Sequence, residues 1–295
     1  MISYVASALL AVTAFGAGGA TPYDYKQNGA DWGDLEGYGL CKTGKEQSPI
    51  DLNVDVDVSD TMKIVGYNYE NYVASAPYTS KNRAWTNNYL GSNRAELETT
   101  LDDGTVKSWE PLQFHFHAPS EHSVDGKLYD AEVHVVHYVK GTNGVDADGN
   151  STMELGSVVG VFFDREAGGN EENPFLTSFF NSVDNIGENG QGKIELVNFL
   201  QSVDMSQYWN YPGSLTTPPC TEGILWNVMK NVQPISDAQL ERFTKYLADD
   251  ADFAEGKGNN RVVQNWNDRM VCYSGASSLL SAGAAILAVA AAFSF

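Results

Sequence analysis

The stretch "LQFHFH", Leu112 to His117, alternates aromatic and imidazole side chains with a period of two. That period belongs to a β-strand, where residues two apart share a face. His115 and His117 therefore project together, with Phe114 and Phe116 turned to the opposite, packed face. A chain of 295 residues with only five histidines places three of them between His115 and His122, and the other two, His134 and His137, just downstream. A packing role accounts for one isolated histidine, but not for this set.

A metal needs a third ligand, and "AEVHVVHYV", Ala131 to Val139, offers one from a second β-branched strand. His134 and His137 are three apart, so they point to opposite faces and only one can join the pair. Gln113 and Glu132 stand two residues before His115 and His134, on the same faces. Imidazoles that bind a metal need an acceptor on their other nitrogen, and that spacing favours His134. Three histidines with an open fourth position is the catalytic form of a zinc site, and no cysteine lies near to close it.

The rest of the chain reads as one β-rich domain. "GSVVGVFF" is a buried strand, and "LDDGT" and "GTNGVDADGNST" are turns. Within the latter, "DADGN", Asp146 to Asn150, imitates the start of a calcium loop, but its glycine and closing residue are misplaced, so a hairpin loop is expected. "SDAQLERFTKYLAD" predicts a helix opened by a Ser236/Gln239 capping box, with Leu240, Phe243 and Leu247 on one face. A shorter helix is expected around "ENPFLTSFFNSV". With 42% hydrophobic and 12% aromatic residues, a large core can form. A net charge of −20 excludes a basic surface for nucleic acid.

Both ends predict processing. Residues 1–20, "MISYVASALLAVTAFGAGGA", have the layout of a secretory signal peptide. Residues 270–295 carry no charge, and their apolar run after "YSGASS" predicts a glycolipid-anchor signal, with a retained membrane tail as the alternative. The domain then spans residues 21–269 outside the cytosol. Asn150-Ser151-Thr152 is a glycosylation sequon. In a secreted chain Cys41 and Cys220, both inside the domain, are expected to pair. Cys272, beside the tail, is the odd one, expected to be removed, modified or used between chains.

"QFHFHAPSEH", "AEVHVVHYV" and "YPGSLTTPPC", with "KEQSPIDL" before them and Trp226 after, resemble the α-class carbonic anhydrases across about Tyr25 to Arg269. The resemblance implies a large, mostly antiparallel twisted sheet with peripheral helices and a zinc ion at the base of a conical cleft. It implies reversible hydration of carbon dioxide to bicarbonate and a proton, by hydroxide held on zinc. His115, His117 and His134 would be the ligands, and Gln113 and Glu132 their acceptors. Thr216 would accept from the hydroxide and donate to Glu121, with Thr217 beside the substrate. Val136, Val158, Leu215, Ile224 and Trp226 would form the apolar wall for carbon dioxide. His122 and His137 would be structural, and Cys41 and Cys220 fall where secreted members carry a disulfide.

Fast members of the family use a cleft histidine to export the proton. The stretch where the resemblance would place it, Tyr67 to Asn93, contains none. Proton transfer is therefore expected to depend on external buffer, or on water passing tyrosine or acidic residues. Two other readings share these motifs. A silent binding module should have lost a zinc histidine, and an ester hydrolase should show a specificity pocket, which is not legible.

Overall fold

The computed structural model describes residues 21–53, 63–68, 73–75, 86–88, 96–101, 103–142, 152–184, 193–248 and 254–274. Asn150, residues 1–20, residues 275–295 and most of the Tyr67–Asn93 stretch lie outside them. Nine strands form one sheet: β1 (Ile64–Asn68), β2 (Thr86–Asn88), β3 (Glu96–Thr100), β4 (Val106–His117), β5 (Ala131–Val139), β6 (Leu155–Phe163), β7 (Tyr208–Ser214), β8 (Glu222–Gln233) and β9 (Cys272–Ser274). Their order is β9-β7-β8-β6-β5-β4-β3-β1, with β2 also paired to β4. Among the described strands of this sheet, only β6 and β8 pair in parallel. The sheet curls enough for the amide of Ile64 on β1 to donate to the Tyr208 hydroxyl on β7 (2.6 Å).

Among the described residues four α-helices accompany it: α1 (Leu40–Thr43), α2 (Pro174–Asp184), α3 (Leu196–Ser202) and α4 (Asp237–Ala248). α4 begins where its capping box predicts, since Ser236 Oγ accepts from the Gln239 amide and Gln239 Oε1 from the Ser236 amide, both at 3.3 Å. α2 follows Asn173, whose Oδ1 takes the amides of Phe175 and Leu176, with Pro174 at the first helical position. α3 has no counterpart among the sequence expectations.

Period two divides the sheet into two faces. Phe114, Phe116, Val133, Val135, Val159 and Val161 pack against Phe175, Phe179, Phe199 and Phe243 of the helices. Phe116 alone has five helix- or sheet-borne rings within 6.4 Å, closest to Phe179 at 4.7 Å. Burying such a ring contributes about 2–3 kcal/mol, so β4 is anchored from beneath. The opposite face carries Glu132, His134 and Val136 of β5 beside Val158 and Phe162 of β6.

Cys41 and Cys220 are bonded, tying α1 to the segment after β7 across 179 residues. Cys272 corrects its sequence reading. It lies on β9, is 1% exposed and packs in the helix-side core, so the fold runs past Arg269 to Ser274. A three-residue edge strand is too short to leave a period in the sequence. Among the described residues no helix is long and apolar enough to cross a membrane.

Candidate metal centre

β4 and β5 run antiparallel with His115 directly opposite His134, and His117 opposite Glu132. That register gathers His115, His117 and His134, with one ring nitrogen of each within 4.8 Å of the others. His137, three residues on, is buried away from the group. Each clustered imidazole gives its second nitrogen to an acceptor. His115 Nδ1 donates to Gln113 Oε1 (2.9 Å), His134 Nε2 to Glu132 Oε1 (2.9 Å) and His117 Nδ1 to the carbonyl of Asn259 (2.8 Å). Fixing the protons there leaves the lone pairs of His115 Nε2, His117 Nε2 and His134 Nδ1 turned toward one another. His117 Nε2 is buried without a hydrogen-bond partner. Burial holds the pKa of His115 well below the ordinary histidine value and lowers that of His117. The donor set, three imidazoles and an orphaned nitrogen at its centre, fits zinc.

The acceptor for His117 is supplied from far away. Asn259 also clamps the end of β4, its side chain accepting from the Ala118 amide (2.9 Å) and donating to the Phe116 carbonyl (3.0 Å). A backbone carbonyl has no residue type to read, so nothing in the sequence marks it.

Two carboxylates organise the surroundings. Glu132 is fully buried, and its Oε2 takes the consecutive amides of Glu121 (2.9 Å) and His122 (3.0 Å). Its Oε1 is shared by His134 Nε2 and His122 Nδ1 (2.8 Å). Burial alone would raise this carboxyl, but His122 and His134 hold it well below the usual range, so it is an ionised acceptor. His122 continues to the Tyr211 hydroxyl (2.6 Å), and that oxygen meets Ser48 Oγ (3.0 Å). Glu121 Oε1 accepts the Arg261 amide (2.9 Å). The Arg261 guanidinium is buried against Gln47 Oε1, the Ser48 carbonyl and the Cys41 carbonyl, and burial pulls its pKa down to about 10. Glu121 Oε2 has no hydrogen-bond partner and stands 3.5 Å from His117 Nε2 and 3.8 Å from His134 Nδ1.

Residues 27–275 match the eukaryotic-type carbonic anhydrase family. The chain belongs to that family. It is 34% identical over 278 residues to a carbonic anhydrase of Neisseria gonorrhoeae, covering 89% of this chain and 93% of the relative. The α-carbonic anhydrase of Thermovibrio ammonificans, solved with sulfanilamide, superposes with a TM-score of 0.61 at 34% identity, covering 86% of this chain and all of that one. A halotolerant carbonic anhydrase from Dunaliella salina superposes with a TM-score of 0.69 at 25% identity, covering 85% and 97%. The chain is thus a carbonic anhydrase, and hydration of carbon dioxide is the activity general to its family.

In this carbonic anhydrase the residues expected to form an apolar wall pack together. Val136, Val158, Ile224 and Trp226 are buried in one cluster, with Leu215 packed against it. The Trp226 ring lies edge-on to His134 at 4.7 Å and to His122 at 4.8 Å, joining that wall to the histidines. Thr216 is buried and Thr217, half-buried, accepts the Cys220 amide through its carbonyl. The hydrogen bond from Thr216 to Glu121 that the resemblance implies is not formed here, because Oε2 is unpartnered and Oε1 takes the Arg261 amide. β2 lies along β4 with Thr86 opposite His115, and Tyr67 on β1 is 47% exposed.

Proposed function

We propose that this carbonic anhydrase hydrates carbon dioxide at a zinc ion held by His115, His117 and His134. The observation that carries the reading is the convergence of three imidazole lone pairs, each fixed by an acceptor behind it. When bound, zinc lowers the pKa of a water to about 7, a value measured on carbonic anhydrases themselves, and so supplies a nucleophile at neutral pH. Gln113, Glu132 and the Asn259 carbonyl hold the three rings in the ligating tautomer.

As a carboxylate, Glu121 can only accept. A hydroxyl brought to its free Oε2 must donate there and is left to accept from the reacting water, and Thr216 fills that role. Carbon dioxide has no charge, so apolar contacts hold it: Val136, Val158, Leu215, Ile224 and Trp226 form the wall, with Thr217 at its edge. Bicarbonate leaves and one proton must follow. With all five histidines between His115 and His137, its export depends on external buffer or on water passing tyrosine or acidic side chains.

The protein works outside the cytosol after removal of residues 1–20, attached by a lipid added near the apolar end, with Asn150 glycosylated. The Cys41–Cys220 bond supports an oxidising compartment. Stopped-flow hydration of carbon dioxide by the purified domain, with zinc content and an imidazole series, tests the reading. Zinc near one per chain with a rate that climbs with imidazole is expected. Zinc without hydration overturns the enzymatic reading, and a fast rate indifferent to buffer overturns the proton route.

A further inference from the structure

One row crosses the sheet through His115, His134, Gly160, Val228 and Trp209, each opposite the next on neighbouring strands. Four of the five carry large side chains, and the fifth, beside a ligand histidine, carries none. Glycine weakens a strand relative to alanine, so in a strand interior it marks a close approach or an unusual backbone. Gly160 sits in the regular run of β6 and is not among the glycines with positive φ. What remains is space. A Cβ placed on Gly160 would stand 2.9 Å from Glu132 Oε1, closer than a methyl carbon and that oxygen can approach, while the Val228 methyls lie an ordinary 3.6 Å away.

Oε1 is the atom that takes both His134 Nε2 and His122 Nδ1. It cannot swing aside freely, since Oε2 of the same carboxylate is pinned by the amides of Glu121 and His122. We propose that Gly160 is a positioning residue: the space left by its missing side chain seats the Glu132 carboxylate, and through it sets the aim and tautomer of His134. The proposal rests on the reading of the three histidines as the metal centre. A methyl group at position 160 pushes Oε1 off its seat and lengthens both imidazole bonds together.

The test is Gly160→Ala, made alone and on a Glu132→Asp background, where the shorter carboxylate withdraws from the seat. Zinc affinity is measured by chelator competition, with urea unfolding of the metal-free proteins alongside. Gly160→Ala is expected to weaken zinc binding 10–100-fold, the range for acceptors behind metal ligands, drawn in part from carbonic anhydrases. Its metal-free urea midpoint should not rise. On the Glu132→Asp background the same substitution should cost less than threefold. A glycine without this role behaves oppositely: zinc affinity stays within twofold of the parent and the urea midpoint rises with strand propensity, which overturns the proposal. An equal loss on both backgrounds overturns it too. If Gly160→Ala fails to fold, folding of the double variant upholds the contact, and failure of both refutes it. A wild-type chain that binds no zinc is a separate outcome, and it removes the metal-centre reading itself.

Discussion

Replacing Glu132 by glutamine changes one heavy atom and should still cost the centre most of its metal affinity. The carboxylate accepts from four donors: two backbone amides on Oε2, and His122 and His134 on Oε1, all between 2.8 and 3.0 Å. A glutamine amide has one accepting oxygen and one NH2 that only donates. If its oxygen faced the imidazoles, the NH2 would meet two backbone N–H groups, whose protons cannot move. The oxygen therefore turns to the backbone and the NH2 to the imidazoles. His134 can accept at Nε2 only by carrying its proton on Nδ1, the nitrogen that faces His115 and His117. In that tautomer it is no ligand. Restoring the ligating tautomer sets donor against donor in a buried site, at about 1–3 kcal/mol. At about 1.4 kcal/mol per decade, zinc affinity of Glu132→Gln should fall on the order of 10–100-fold. Glu132→Ala should fall less, because it leaves room for a water to accept rather than a misdirected donor. Chelator competition, with the absorption of the cobalt-substituted protein as a second readout, measures both. Glutamine binding zinc within threefold of wild type, or more tightly than alanine, would refute the reasoning.

Other perturbations test the frame around the site. Removing the 179-residue crosslink with Cys41→Ser/Cys220→Ser should destabilise the domain by about 3–5 kcal/mol, since loops of that length lose the most closure entropy; a loss under about 1 kcal/mol in urea would contradict it. Phe116→Ala should cost about 3–5 kcal/mol by emptying the ring cluster beneath β4, read as a lower urea midpoint at unchanged m-value. Burial lowers the pKa of His137 to about 4, so the unfolded chain takes up its proton first as pH falls. Its contribution is complete above the unfolded value near 6.5 and is lost between there and about pH 4. At about 1.4 kcal/mol per pH unit the loss is about 3 kcal/mol, and His137→Gln should flatten that part of the stability profile relative to wild type.

What was legible in the chain followed from local periods. The alternation of Phe and His along β4 set His115 and His117 on one face and the core contacts of Phe114 and Phe116 on the other. The two-residue spacing of Gln113 and Glu132 identified two acceptors before any contact was seen. The Ser236/Gln239 box marked the start of α4. What escaped had no local period or no side chain. The third acceptor is a main-chain carbonyl 142 residues from its histidine. Gly160 offers no side chain to read, only the space beside Glu132 Oε1. β9 has three residues, and α3 only seven, too few to distinguish a helix from a short apolar run. Cys272 was misplaced for the same reason: a thiol beside an apolar tail reads as part of it until β7 is seen to pair there.

The spans of the bonds around the histidines bear on how the protein is made. His115, His117 and His134 leave the ribosome close together, yet the carbonyl that orients His117 follows 142 residues later and the amide that holds Glu121 follows its carboxylate by 140. β8, which pairs in parallel with β6, also arrives late. A nascent chain therefore carries all three histidines, and the acceptors behind His115 and His134, well before it carries the one that aims His117. A chain halted before Asn259 keeps Gln113 and Glu132 behind His115 and His134 but lacks the carbonyl that fixes the tautomer of His117. The third imidazole is thus set only by the completed domain, in whichever compartment folding ends.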